Sequence, residues 1–161
     1  MTSLPSKPFS CVNLQQLKEL IHQSLSPDLL LPAFQAAWSA DNPTSGFCSV
    51  ASEAAWFVLG GSEKGWNAYT ARDHNNVVHW WLQHTSGLVF DPTEEQYTSQ
   101  NLSPPHQTSA KVKACGFMGV RKAPGNCWGF DRKPSLRAQK LLDTMEKTLK
   151  LRESHVLTRT L

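Results

Sequence analysis

The sequence predicts an α+β fold in one domain, with helices packed on a small antiparallel sheet. Apolar residues recur at helical spacing towards both ends of the chain, whereas its middle holds dense β-branched and aromatic runs. The 161 residues suffice for one domain with a sizeable core, and we find no internal repeat. Helices, then strands, then a final helix are typical of this class. We expect residues 1–10 and 152–161 to be loose.

Two helices are predicted at the start. Asn13 is a suitable N-cap for a helix over Leu14–Leu25, whose leucines form one apolar stripe. Ser26, followed by a proline and an aspartate, is typical of a helix start, and predicts a second helix over about Pro27–Trp38. Pro32 is expected to kink this second helix or to split it in two.

A third helix is predicted to begin near Cys48, directly after a loop over residues 42–46, and to end at Gly60 and Gly61. A thiol in the first turn of a helix lies at the positive end of the helix dipole, which favours the thiolate. Cysteine is also among the most buried residue types, so simple packing is the alternative at this point. Gly46 lets a substrate backbone approach closely.

Three strands are predicted next. Trp66–Arg72 and Val77–Gln83 flank a polar turn over residues 73–76. Thr85–Gly87 then connects the second strand to Leu88–Asp91. A three-residue connection that ends in glycine fits a type I turn followed by a left-handed residue.

The last part of the chain is predicted to hold a long loop and a final helix. Thr93–Gln107 is polar, with one helical turn at Glu94–Tyr97. Lys111–Asn126 is irregular, with room for a short strand. An amphipathic helix then follows from Pro134 to about Leu151.

Charge and composition argue against several classes of protein. The net charge of +3, from 16 basic and 13 acidic residues, is too small to indicate nucleic-acid binding. No apolar run approaches the ~20 residues needed to span a bilayer, and the N-terminus has no apolar signal core. We therefore expect a cytoplasmic protein that binds neither nucleic acid nor membrane.

The cysteines and histidines show no metal-site pattern. The four cysteines are far apart: Cys11, Cys48, Cys115 and Cys127. Without a CxxC pair or a His/Cys cluster at zinc spacing, no metal and no cofactor are expected. Four free thiols are the expected state in the cytosol, although the last two cysteines can come close across a loop. Three histidines in or beside turns are likewise not expected to bind metal: His74, His84 and His106.

Cys48, His79 and Asp91 form the candidate reactive site. A thiol nucleophile needs an imidazole to accept its proton, and the imidazole needs a carboxylate or amide to hold its tautomer. With a three-residue connection, Gln83 faces Val89, which makes His79 and Asp91 diagonal cross-strand neighbours within side-chain reach. The alternative is that the aspartate caps a turn and that the histidine packs between tryptophans.

Further residues are candidates for binding a substrate. The Asn42 amide can donate to a developing oxyanion together with the Cys48 backbone N–H, or it can be an ordinary Asn-Pro turn residue. Trp80 and Trp81 alternate faces, so one is expected in the core and the other at the site. Glu53 is expected to be a buried hydrogen-bonding residue or a helix-surface charge. Five residues are expected to line a substrate cleft: Gly46, Phe47, Trp66, Trp80 and Trp81.

The motifs around these residues resemble a known superfamily. Gly-Phe-Cys at a helix start, His-Trp-Trp on a strand and Asp-Pro-Thr after the next strand resemble the papain-like and transglutaminase-like cysteine hydrolases. A narrower resemblance, over about residues 41–142, is to a group of small bacterial and phage proteins. It rests on these motifs: Gly-x-Cys-x-Val-Ala-Ser-Glu from Gly46, His-Trp-Trp from His79, Asp-Pro-Thr-x-x-Gln from Asp91 and a late Gly-Phe followed by Pro-Ser-x-Arg-Ala.

The resemblance implies a thiol-dependent acyl-transfer enzyme, such as a peptidase, an amidase or deamidase, or a transglutaminase. Cys48 would be its nucleophile, His79 its base and Asp91 the orienting acid. Its substrate would be a protein or peptide, and a phage origin would place it in the bacterial host cytoplasm. The alternative is a catalytically inactive inhibitor or counter-defence module that binds its target in a tryptophan-lined cleft of the same fold.

Overall fold

A computed structural model describes residues 8–117 and 133–159, with side chains up to Val156 in the second range. Six α-helices lie in these ranges: α1 Leu14–Ser24, α2 Pro32–Gln35, α3 Cys48–Val58, α4 Glu95–Thr98, α5 Pro105–Thr108 and α6 Leu136–Arg159. The same ranges hold four strands: β1 Trp66–Arg72, β2 Val78–His84, β3 Val89–Phe90 and β4 Val112–Lys113. The strands form one antiparallel sheet in the order β3-β2-β1-β4. The predicted α+β class is confirmed.

The first helices begin where the sequence predicts them. The Asn13 side chain accepts a hydrogen bond from the Gln16 backbone N–H, and the Gln16 side chain accepts one from the Asn13 backbone N–H. The second predicted helix is split, as Pro32 allows. A 3-10 turn covers Pro27–Leu29, and α2 begins at Pro32, where the missing N–H costs no helical hydrogen bond.

The central hairpin has the predicted register. Gln83 pairs with Val89, and Gly87 in the connection has a φ of +94°. β1 and β2 pair along their whole lengths, whereas β3 pairs with β2 through two residues only and ends at Phe90. Within the described residues, the Val78–Trp81 part of the outer edge of β2 therefore has no strand beside it.

The main core lies between α3, the sheet, α1 and α6. Fully buried residues from these elements include Leu20, Ile21, Ala51, Ala54, Leu82 and Leu141. Glu53, near the middle of α3, accepts hydrogen bonds from the Ser135 backbone N–H at 2.7 Å and from its hydroxyl at 2.8 Å. These bonds connect α3 to the start of α6, and they confirm that Glu53 is a buried hydrogen-bonding residue.

The ends of the described chain contain more structure than predicted. Phe9 is 5% exposed and packs into the core, because its ring finds an apolar surface there. α6 continues past Leu151 to Arg159, since no Pro or Gly interrupts that stretch. Residues 1–7 and 160–161 lie outside the described residues. No helix in the described part of the chain is both long and apolar enough to cross a membrane.

The expectation of four free thiols is wrong. Cys11 and Cys48 are free, but Cys115 is disulfide-bonded. Redox compartment alone does not decide this state, since a bond also depends on which thiols the fold brings within reach. Cys127, the partner considered from the sequence, lies outside the described residues. So does the part of Lys111–Asn126 from residue 118 onward, whereas β4 is the short strand expected there.

Candidate active site

Cys48 is the first residue of α3 and is partly exposed. Its Sγ atom lies 3.8 Å from the carbonyl oxygen of Val78 in β2. The neighbouring carbonyl, that of Val77, accepts from the Asp73 N–H on the β1 side. Carbonyls alternate sides along a strand, so the Val78 carbonyl is directed to the outer edge of β2. The N-terminus of α3 thus lies beside the part of β2 that β3 does not reach.

His79, the next residue of β2, is held by a buried carboxylate. Its Nε2 atom is 2.6 Å from Asp91 Oδ2, and the two side chains are 0% and 1% exposed. The other carboxylate oxygen of Asp91 accepts from the Thr93 backbone N–H at 3.0 Å. The predicted contact between the histidine and the aspartate is therefore confirmed, and Asp91 is held at both oxygens.

The imidazole of His79 also interacts with the thiol. Burial acts to lower the pKa of His79, but hydrogen bonds to Asp91 and Cys48 and the charges of both raise this pKa from 6.5 to about 9. The carboxylate and the neighbouring sulfur thus both stabilise the protonated form of this ring. The structure thus brings Cys48, His79 and Asp91 together.

Gln96 is a site residue that sequence reasoning missed. Its Nε2 atom is 3.1 Å from His79 Nδ1, the ring nitrogen that Asp91 does not contact. The same nitrogen donates to the Thr93 carbonyl and hydroxyl oxygens, each at 3.1 Å. A signal existed, because Gln96 is the last residue of the Asp-Pro-Thr-x-x-Gln motif. The helical turn predicted there places it on the same side as Thr93, three residues earlier.

Asn42 is not placed for the oxyanion role. Its Nδ2 atom donates to the backbone carbonyl of Gln96 at 3.2 Å, and its side chain is not part of the cleft wall beside Cys48. The amide reaches this carbonyl because the loop before α3 lies against the α4 segment. Asn42 therefore holds the segment that carries Gln96.

A cleft with a volume of about 800 Å³ opens beside Cys48. Gly46 and Trp80 line it, as predicted, together with Gln96 and Tyr97. Gly46 has a φ of +84°, and a Cβ atom there would lie 3.0 Å from Leu30. Glycine is thus required at this position by the backbone and by packing against the chain itself.

The prediction that the other three residues line the cleft is wrong, because each of them is buried in the interior. Phe47 is 1% exposed and packs in the core at the N-terminus of α3. Trp66 is buried and contacts Phe90 edge to face, with ring centroids 6.4 Å apart. Trp81 is fully buried beside the His79 ring, at 6.1 Å between centroids. Large aromatic surfaces gain most from burial, so in this chain they fill the core.

A second group of ionisable side chains lies beside Asp91. We call Lys18, Glu94, Glu95 and His106 the Lys18 cluster. Lys18 Nζ is 2.6 Å from both Glu94 and Glu95, and His106 Nε2 is 3.5 Å from Glu94 and 3.6 Å from Asp91. A hydrogen bond with His106 lowers the pKa of Glu94 to about 2, and Lys18 contributes although burial opposes it. In residues 8–117 and 133–159, no group of three or more potential ligands is arranged to hold a metal.

One family model matches the part of the chain that contains these residues. A family model described as YunG protein matches residues 13–117, which include the whole sheet and helices α1 to α5. Cys48, His79, Asp91 and Gln96 all fall within the match, whereas α6 follows it. No curated protein and no solved structure matches the chain.

Proposed function

The chain belongs to the YunG protein family, and we propose that it is a thiol-dependent acyl-transfer enzyme with Cys48 as nucleophile, His79 as base and Asp91 as the residue that orients the base. One observation supports this above all: a single imidazole hydrogen-bonds a buried carboxylate and interacts with a thiol at a helix N-terminus, beside an open cleft. A papain-like or transglutaminase-like core, with a helix start against antiparallel strands, is part of the same proposal.

The proposed reaction proceeds through a covalent intermediate. The Cys48 thiolate attacks the carbonyl carbon of an amide or ester, forming a carbon–sulfur bond while the carbonyl electron pair moves to oxygen. When the tetrahedral intermediate collapses, the imidazolium of His79 protonates the departing amine or alcohol. Water or an amine, deprotonated by His79, then attacks the S-acyl group and releases the thiol. Asp91 stabilises the imidazolium in both halves of the reaction.

The start of α3 supplies the groups that would stabilise the oxyanion. The first backbone N–H groups of a helix have no acceptor within the helix. Those at Cys48 and Ser49 therefore point towards the cleft end of α3, where a bound carbonyl would develop negative charge. Ser49 lines the same cleft as Cys48. This role does not require Asn42.

A protein or peptide is the proposed substrate. The cleft volume of about 800 Å³ has room for more than one side chain, and its lining combines the apolar Phe34 and Trp80 with the polar Arg72 and Gln96. A segment of polypeptide offers matching apolar and hydrogen-bonding groups. The choice between hydrolysis and transfer depends on which nucleophile reaches the acyl group.

The test is the reactivity of Cys48 in the wild type, in His79→Gln and in a control, His74→Gln, which changes an exposed turn histidine. Iodoacetamide alkylation is followed by mass spectrometry of the peptide that contains Cys48, since Cys11 is also free. At about pH 6, we expect alkylation to be about tenfold slower in His79→Gln than in the wild type and unchanged in His74→Gln.

Acylation is measured in the same proteins with p-nitrophenyl acetate. We expect a burst of p-nitrophenolate and an acetyl group on Cys48 in the wild type, and neither in Cys48→Ala. A thiol that is inert at all pH values, with no acyl adduct, would contradict the proposal. That result would favour the alternative, a binding module without catalysis.

A further inference from the structure

We infer that Gln96 is a positioning residue that fixes the tautomer of His79 and competes with Cys48 for the Nδ1 atom of the ring, so that it restrains the thiol in the absence of substrate. This inference rests on the proposed function and adds a form of regulation to it. It is carried by the hydrogen bonds of one amide group.

The Thr93 carbonyl identifies the atom that faces the ring as nitrogen, because a carbonyl oxygen can only accept. The two protons of this nitrogen are shared among three neighbours. Gln96 Nε2 lies 3.1 Å from the Thr93 carbonyl oxygen, 3.1 Å from the Thr93 hydroxyl and 3.1 Å from His79 Nδ1. An amide oxygen in this place would face the lone pairs of the Thr93 carbonyl. The network therefore requires the nitrogen, which has protons to donate and no lone pair to accept with.

The donor from Gln96 is compatible with only one form of the ring. His79 Nδ1 has a lone pair in the neutral tautomer that carries its proton on Nε2, the atom 2.6 Å from Asp91 Oδ2. In the imidazolium, Nδ1 also carries a proton, which would point at the N–H of Gln96. Cys48 acts in the opposite sense, because its interaction with the ring favours the protonated form. Asp91 occupies Nε2, so the nitrogen left for Cys48 is Nδ1. The two side chains thus compete for one ring nitrogen.

The backbone of Gln96 is held while its amide remains open to the cleft. The Gln96 carbonyl accepts from Asn42 Nδ2 at 3.2 Å and from Gln100 Nε2 at 3.1 Å. The side chain itself lines the cleft that contains Cys48. A bound chain with a carbonyl oxygen near Gln96 can therefore accept its N–H group, which would free Nδ1 for the proton of the thiol.

The experiment compares Gln96→Met, a side chain of similar length without an amide, with Gln100→Met as a matched control. Gln100 is exposed and contacts the Gln96 backbone but not His79. Removing the donor should speed alkylation of Cys48 by iodoacetamide at about pH 6 by roughly three- to tenfold, the size of one hydrogen bond. The Gln100→Met rate should stay within about twofold of the wild type. An unchanged or slower rate in Gln96→Met overturns the inference.

A measurement on the wild type does not depend on how the variant folds. Nitrogen-15 NMR of the neutral His79 ring should show the proton on Nε2 and an unprotonated, hydrogen-bonded Nδ1; a proton on Nδ1 overturns the inference. The two proposals fail separately. If His79→Gln leaves the alkylation rate of Cys48 unchanged, the proposed function fails. If that rate depends on His79 but is unchanged in Gln96→Met, only the inference about Gln96 fails.

Discussion

Two ion pairs near Asp91 have the same nitrogen–oxygen distance but differ in how far their side chains are exposed to solvent. His79 Nε2 and Asp91 Oδ2 are 2.6 Å apart, with side chains 0% and 1% exposed. Lys18 Nζ and Glu94 Oε1 are also 2.6 Å apart, but their side chains are 12% and 34% exposed. Water screens the second pair and is excluded from the first. Equal distances therefore do not imply equal contributions, and burial decides on which contact the site depends.

The largest effect is expected from Asp91→Ala, which removes one member of the buried pair. The substitution leaves the buried His79 without its carboxylate and the Thr93 N–H without its acceptor. We expect the free energy of unfolding to fall by about 3–5 kcal/mol, the usual cost of removing one member of a buried ion pair. Urea unfolding near neutral pH measures it. A loss below about 1 kcal/mol would mean that the buried pair is no stronger than the exposed one.

The second prediction separates the two pairs by pH. The pKa of His79 is raised from 6.5 to about 9, so its contribution to stability is complete below about pH 6.5 and is lost as pH rises through about 9. This rise corresponds to at most about 3 kcal/mol, and donation by Gln96 opposes it. The pKa of Glu94 is lowered from 4.5 to about 2, so its smaller contribution is complete above about pH 4.5 and is lost as pH falls through about 2.

Thermal unfolding midpoints measured against pH test both pH dependences in the wild type, His79→Gln and Glu94→Gln. Relative to the wild type, His79→Gln should lose the alkaline decline, and Glu94→Gln should lose part of the acid decline. The comparison does not hold if both substitutions change the same end of the pH profile. Each variant serves as the control for the other.

The smallest effect is expected from Glu94→Gln near neutral pH. The Lys18–Glu94 pair is partly exposed, and Lys18 keeps Glu95 as a partner at 2.6 Å. We expect a loss of about 0–1 kcal/mol in urea unfolding at low salt. At about 1 M salt, where the screening length is about 3 Å, the loss should vanish. A larger loss that salt does not reduce would show that the Lys18 cluster contributes more than its exposure implies.

The sequence was sufficient for the parts of the site that follow from local geometry. Helix-start signals place Cys48 in the first turn of α3, and the three-residue connection sets the register that opposes Gln83 to Val89. Because side chains alternate along a strand, the same register brings His79 within reach of Asp91. These contacts need no knowledge of how distant segments pack.

The contacts that the sequence missed depend on packing between distant segments. Asn42 reaches the backbone of Gln96, fifty-four residues away, because the loop before α3 lies against α4. Gln96 in turn reaches His79 across the turn after Asp91. Phe47, Trp66 and Trp81 were expected at the cleft from their aromatic character, which does not distinguish a binding surface from a core.

The two hydrogen bonds between Glu53 and Ser135 limit where the chain can be truncated without loss of its core. A fragment that stopped at residue 117 would keep every proposed reacting group and the whole family match, yet it would remove Ala138, Leu141 and Met145 from the core. It would also take two donors from a carboxylate inside the helix that presents the thiol. The proposed reacting groups thus lie in one stretch of the chain and their scaffold is completed by another, so a truncated protein would be a poor reagent for studying either.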